Sequence, residues 1–341
     1  MGYKRWRLAA TPDLVNAARG AACLIFLVSC SGGEDPRDTS TRGQGAARVG
    51  QDQATSALPQ RDADGRKMFP AVWSTRPLGG PVRDIALARG GSPLLAIAYE
   101  SRGLELFNLE AERMTERVGF QVSDIADGQF AQIDGVGLTV FPGVDAEGNL
   151  KAWVYGEGLK APAEIDLPIE VETYALGACS APAPEGSGAL MRFAFWSFGD
   201  DRRLRTGKLR AEGGTFVWED DGYVGADAPI AACQIARTGT ELAPDGTRTI
   251  ATFARGAETR QVFLREDGEL LAGQQGQAPD SFGLREGITV AFPERPTAMS
   301  ALGVATTGGY PEGLIVVAGE TEPGVHQAVF VDPTGLIDPL P

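Results

Sequence analysis

Histidine is almost missing from this chain: His326 is the only one in 341 residues. That scarcity removes three-histidine zinc sites, histidine phosphatases and Ser-His-Asp triads as single-chain mechanisms. A lone imidazole on an apparent outer strand reads as a surface or packing residue. Cysteine is scarce as well, with four in all and no C-x-x-C pair, so a redox couple has no support. No G-x-S-x-G elbow and no P-loop occurs. Cations are outnumbered, 31 Lys and Arg against 45 Asp and Glu, and the formal charge of −14 argues against nucleic acid and against charge-driven binding to anionic headgroups. After residue 29 no apolar run approaches the roughly 20 residues that span a bilayer. After residue 70 no stretch of three helical turns carries an apolar stripe.

What is present begins with a leader. Lys4, Arg5, Arg7 and Arg19 precede an apolar segment, Gly20 to Ser29, and the run Leu27-Val28-Ser29-Cys30 ends in a small residue and a cysteine. This resembles a bacterial lipoprotein signal peptide. The reading makes residues 1–29 a cleaved signal, Cys30 the lipidated N-terminus, and the lipid the means of attachment to the membrane. Ser31, by resemblance to other lipoproteins, implies transfer to the outer membrane. Cleavage removes four cations and Asp13, which takes the formal charge from −14 to −17.

Residues 30–69 follow, rich in Gly, Ser, Thr, Asp, Gln and Arg with almost no large apolar side chain before Met68. Such a segment buries too little to offset its ordering entropy, and it reads as a flexible tether. From Pro70 to Pro341 the texture changes to short apolar or alternating runs separated by Gly, Pro and Asp turns, in keeping with 45 Gly and 22 Pro.

A three-strand phrase recurs along this region: a small-residue strand, a strongly apolar strand, then an alternating one. It appears as Asp84–Ala88, Leu94–Ser101 and Gly103–Glu110, and again as Tyr174–Ser180, Ala189–Phe198 and Arg203–Glu212. A third copy is Ile230–Ala236, Thr247–Gly256 and Thr259–Gly268, and a fourth is Ala298–Thr306, Gly313–Glu322 and His326–Gly335. Weaker copies lie at Phe130–Tyr155 and Phe216–Val224. Repeats of about 40 to 50 residues predict an all-β, six-bladed β-propeller with four-stranded antiparallel blades over residues 70–341. Ala71–Ser74 is expected to add a strand to the last blade and close the ring, removing an open sheet edge.

Ser92–Glu110 resembles the part of bacterial β-propeller phytases where an S-L-I-I-G-T-D-K-like strand runs into G-L-x-V-Y-D-L. Gly119-Phe120 and Val122-Ser123-Asp124-Ile125-Ala126 are similar to the G-F and V-D-I-A elements that follow, Leu176–Cys179 falls at E-G-L-C, and Ala231–Cys233 falls at E-G-C. The resemblance implies a central face holding several calcium ions that bind phosphate and activate water, which demands carboxylate-rich ligand sets. The chain departs from that pattern at the charged positions. Leu176 and Ala231 stand where the family has glutamates, Arg83-Asp84 stands for paired aspartates, and Tyr99-Glu100-Ser101 replaces the T-D-K element. Met68–Trp73 mimics D-D-P-A-V-W without the acids. Asp84 and Glu100 remain as the candidate metal ligands, with calcium as the ion.

Two acidic clusters, Glu219-Asp220-Asp221-Gly222 and Asp145-Ala146-Glu147-Gly148, read as solvated hairpin turns, with calcium binding as the alternative. Cys179 and Cys233 lie at the same point of two repeats, 54 residues apart. Either they form a disulfide in an oxidising compartment or they are buried thiols. Equivalent positions on neighbouring blades are expected to exceed the roughly 7 Å that a disulfide allows, which favours thiols packed as small hydrophobes. The functional expectation is a lipid-anchored envelope protein that binds an unknown protein or small molecule, its metal site degenerate. The alternatives are a calcium-dependent phosphomonoester hydrolase and, more remotely, a calcium-dependent sugar-lactone hydrolase.

Overall fold

The computed structural model describes residues 60–337 apart from 157, 237–238, 244–245, 256–257, 275–276, 288–289, 304–309 and 311–312. The leader, Cys30 and the tether up to residue 59 lie outside the described residues. Pairing begins at β1 (Gln60–Arg61), which folds back on β2 (Lys67–Ser74) through the turn at Asp62, whose Oδ1 accepts from the N–H groups of Asp64 and Arg66 at 3.0 and 2.8 Å. The described strands thus reach ten residues into the span read as tether, and Phe69 on β2 is fully buried and anchors them.

The strand-turn texture resolves into antiparallel meanders. The first is β3 (Val82–Arg89), β4 (Leu94–Tyr99) and β5 (Leu104–Asn108), flanked by bridges from β5 to Val118 and Arg113. In the second, β6 (Val122–Ile125) and β7 (Gly128–Ile133) both pair with β8 (Val136–Asp145), followed by β9 (Leu150–Gly156) and β10 (Ala163–Asp166). The third is β11 (Ala175–Pro182), β12 (Met191–Ser197), β13 (Arg203–Glu212) and β14 (Thr215–Gly225). The weak repeat at Phe216–Val224 is therefore the fourth strand of this unit.

The next stretch differs from the expected blade. Among the described residues β15 (Cys233–Ala236) pairs with β16 (Gly239–Leu242) alone, while β17 (Thr247–Arg255), β18 (Glu258–Arg265), β19 (Leu270–Gln274) and β20 (Asp280–Arg285) form their own run. The third copy of the sequence phrase is thus split: its first strand pairs with β16, and its second and third strands, β17 and β18, pair with each other. The last unit is β21 (Pro296–Leu302), β22 (Leu314–Glu322) and β23 (Val325–Val331), trailed by the short α1 (Thr334–Ile337). The architecture is all-β, with curled and nearly closed sheets, and among the described residues these are not a set of six equal four-stranded units.

β2 joins the ends. Its first half runs parallel to β20, with Lys67 opposite Phe282, and its second half runs antiparallel to β23, with Ala71 opposite Val331 and Ser74 opposite Val329. The change of partner falls at a bulge between Ala71 and Trp73, and a bulge locally bends a strand. The expected closing strand is thus present, and both neighbouring edges are covered.

The sheets pack face to face in chain order. Ala86, Ala96 and Leu106 of the first unit pack with Phe141 and Trp153 of the second, and Val140, Ala152 and Val154 of the second pack with Phe193 and Leu209 of the third. Cys179 and Trp196 pack with Ile235, while Phe253 and Val262 meet Met299 and Val317. Ala298, Val316 and Phe330 return to Ile85 and Leu95. Each large apolar side chain buried this way contributes about 1.5–3 kcal/mol.

Candidate functional site

The first strand of each of five strand runs carries the same defect. A register shift occurs between Val82 and Asp84, between Val122 and Asp124, between Ala175 and Gly177, between Thr247 and Thr249, and between Pro296 and Ala298. Bulges re-aim side chains at sheet rims, and here they turn the following residues toward a shared pocket of about 310 Å³. Six segments line it, one from each of β3, β6, β11, β17 and β21 and one running from Ala231 into β15, with Trp196 of β12 as a further lining residue.

Asp84 and Asp124 hold equivalent places after the bulges at Arg83 and Ser123. Asp84 Oδ1 accepts from the Ile85 N–H and Oδ2 from the Ile125 N–H, both at 2.9 Å. Asp124 Oδ2 accepts from the Ala178 N–H at 2.7 Å. Each aspartate therefore bonds the residue one past the equivalent position on the next strand, making two rungs of one ladder. The ladder ends at Gly177, which has no carboxylate to offer. Gly143, opposite Ile125, allows the close pairing beneath Asp124, since a side chain there would collide with the Asp124 carbonyl.

A second polar group lies deeper on the same strands. Asp127 Oδ1 accepts from Ser300 Oγ at 3.0 Å, and Ser300 Oγ accepts from the Leu87 N–H at 3.1 Å. The Ser180 hydroxyl donates to the Asp127 carbonyl. Arg83 and Arg248 supply cations to the lining, and Arg248 Nη1 donates to the Thr297 carbonyl at 2.7 Å.

The three aspartates keep some surface open to the pocket yet are ringed by protein, and that enclosure dominates their titration. Burial, then the neighbouring Asp124 carboxylate, holds Asp84 well above the usual carboxylate range against the pull of the Ile125 and Ile85 N–H groups and Arg248. Burial pushes Asp124 up to about 6, opposed by the Ala178 N–H. Burial also raises Asp127, opposed by Arg89 and by the Ser300 and Leu87 donors. Two facing carboxylates in a low-dielectric pocket resist double ionisation, so the pair takes up protons at a higher pH than free aspartates do.

Of the two predicted ligands, Asp84 is at the pocket and Glu100 is not; Glu100 is exposed, on the turn after β4. Leu176, Ala231 and Arg83, the positions where charged family residues were sought, all line the pocket. The residues do not fit a calcium cage. Both oxygens of Asp84 and one of Asp124 are engaged by backbone donors, and among the described residues no group of three or more His, Cys, Asp or Glu is placed to hold a metal. Calcium takes six to eight oxygen ligands.

Sequence reasoning passed over Asp124, Asp127, Ser300 and Arg248 as site residues. A signal for Asp124 was available, since Asp-Ile-Ala occurs at 84–86 and again at 124–126. Asp127 and Ser300 had none, being brought together from 173 residues apart.

Cys179 and Cys233 form a disulfide, with Cα atoms 5.8 Å apart. The expectation of separate thiols is corrected: equivalent points on neighbouring strands converge at the pocket wall, where both cysteines lie. The acidic run Glu219–Asp221 is also corrected. It lies within β14, where Asp221 is the extra residue of a bulge, and it pairs across to Arg205, Lys208 and Arg210 at 2.6 to 3.6 Å. Asp145 does close a turn, as read, accepting from the N–H groups of Glu147 and Asn149 at 2.9 and 2.8 Å. His326 sits part-buried on β23.

No protein-family model matches the chain and no curated protein matches it. Among solved structures, a triple arginine-to-alanine mutant of AofleA from Arthrobotrys oligospora is similar over 77% of this chain and 91% of its own, at 10% identity and a TM-score of 0.49. BBS1N in complex with ARL6DN is similar over 71% of this chain and 76% of its own, at 9% identity and a TM-score of 0.38. Both neighbours are β-rich, propeller-like folds. Among the described residues no helix is long and apolar enough to cross a membrane.

Proposed function

We propose that this chain is a lipid-anchored bacterial envelope protein, tethered through Cys30 and directed to the outer membrane, whose propeller binds a small polar ligand or a protein at its central pocket. The observation that carries the binding reading is the pocket itself: about 310 Å³, lined by six chain segments that bring Asp84, Asp124 and Asp127 together with Arg83 and Arg248. The six segments also favour a six-bladed ancestry in which the β15–β16 unit is shortened. Carboxylates and guanidinium groups in one pocket suit a ligand carrying both donors and acceptors. The engagement of the aspartates by backbone N–H groups favours binding over metal-assisted hydrolysis.

The alternative, a divergent phytase-like phosphomonoester hydrolase, rests on the resemblance around Ser92–Glu110 and on the convergence of Arg83, Leu176 and Ala231 at the same pocket. One experiment separates the two. The purified chain is incubated with phytate with and without calcium and phosphate release is followed, while a small-molecule library is screened by thermal shift on the parent and on Asp124→Asn. Ligands that raise the melting temperature of the parent but not of the variant, with no phosphate released, support the binding reading. Calcium-dependent phosphate release overturns it.

A further inference from the structure

A second cavity of about 730 Å³ lies away from the central pocket and shares no lining residue with it, where β1 and β2 meet β18, β19 and β20. Its lining is unusual for a chain of net charge −14: Arg61, Arg66, Lys67 and Arg260 against Asp64 and Asp280. The fold forces some of these cations together. Antiparallel pairing of β1 with β2 sets Arg61 directly opposite Lys67, and like charges at such a position destabilise a sheet. Arg260 joins them from β18, opposite Gln274 of β19.

Two of the four are already engaged. Arg66 Nε bonds Asp62 Oδ2 at 3.1 Å, and Arg61 Nη1 donates to the Gly65 carbonyl at 2.7 Å. Among the described residues Lys67 and Arg260 have no carboxylate within ion-pair distance, and Arg260 Nε is buried without a hydrogen-bond partner. A buried, unsatisfied guanidinium N–H carries a desolvation cost that a bound acceptor would remove. The field at Lys67 agrees: burial lowers its ammonium pKa, Arg61 and Arg260 lower it further, and Asp280 only partly opposes them.

We propose that this groove is an anion site for a multiply charged, phosphate-bearing ligand, with Lys67 and Arg260 as its primary contacts. A rigid guanidinium fork beside a compact ammonium suits phosphoryl oxygens, and the volume exceeds the need of a single phosphate. The same phosphoryl chemistry is carried by a free oligophosphate and by an anionic lipid headgroup. The groove is built on the first described strands.

The test uses the full chain carrying Cys30→Ser, so that no acyl anchor contributes, titrated calorimetrically with tripolyphosphate. Saturable binding is expected that weakens steeply between 50 and 200 mM salt, on the order expected for released counterions, and at least tenfold in Lys67→Ala/Arg260→Ala. Arg76→Ala, an exposed cation outside the groove, is expected to bind as the parent does. Cosedimentation with phosphatidylglycerol against phosphatidylcholine vesicles, read as the difference between parent and double variant, assigns the source: competition by tripolyphosphate indicates headgroups, and no difference indicates a free oligoanion. Should the double variant not fold, the Arg260 Nε–H resonance of the parent, assigned with Arg260→Lys, is expected to move on titration. No saturable binding at low salt, equal binding by a folded double variant, or an unmoved Arg260 resonance overturns the proposal.

Discussion

Asp124 shows how one side chain couples the pocket to stability. Its folded pKa is raised to about 6 from the usual carboxylate value near 3.8, so between those values the native state holds more protons than the unfolded chain, and stability falls as pH rises through the window. Its contribution is fully present below about pH 4 and lost by the time the pH passes 6; Asp84, raised for the same reason and by Asp124 itself, extends the fall to higher pH. Asp124→Asn keeps an acceptor for the Ala178 N–H but removes the charge. It is expected to raise the melting temperature at pH 8 and to flatten its decline between pH 4 and 7; thermal melts across that range check this, and an unchanged slope counts against the pair. Of these residues, Asp84 could be picked from its neighbours in the chain. Asp124 lay in view as the second Asp-Ile-Ala, whereas Ser300 meets Asp127 only through the packing of β21 against β3.

At the scale of elements, the bulges and the disulfide matter most. Alternation and turn residues located the meanders from β3 to β14 and from β21 to β23, because a half-buried strand shows which face it buries through its own period of two. A bulge breaks that period by one residue, and none of the five first-strand shifts is written in a composition rule. The Cys179–Cys233 bridge links β11 to β15, and β15 has only the short β16 as sheet partner. Closing a 54-residue loop in the unfolded chain is worth about 4 kcal/mol on the chain-entropy estimate. Cys179→Ala/Cys233→Ala is therefore expected to lower the unfolding free energy by an amount approaching that value, read as a lower denaturant midpoint. Equal midpoints with and without reductant would show that β15 is held by packing alone. The run Glu219–Asp221 was misread as a turn because its acids look solvent-seeking; in β14 they are solvated and also opposed by a row of cations on β13, a pairing worth little per contact at such exposure.

Over the whole molecule, β2 is the element that holds the largest sheet together, pairing with β20 on one side and β23 on the other. A chain beginning at Arg76 is expected to expose both edges and to lose the Phe69 anchor, whose truncation alone costs about 3–5 kcal/mol. Such a chain should aggregate or unfold at markedly lower denaturant than one beginning at Ala54, measured by size exclusion and chemical denaturation; equal stability would mean that the ring closes without β2. The local order of residues was enough to establish an all-β chain of repeated meanders, the strand at 71–74 that returns to the last unit, and the poverty of histidine and cysteine that rules out several chemistries. These are matters of short-range periodicity and composition. Tertiary structure decided which strand pairs with β15, that two cysteines meet, that three aspartates share one pocket, and that cations gather on β1, β2 and β18. Those outcomes depend on contacts between segments tens to hundreds of residues apart, where burial and edge pairing between sheets select the neighbours and local propensity has no reach.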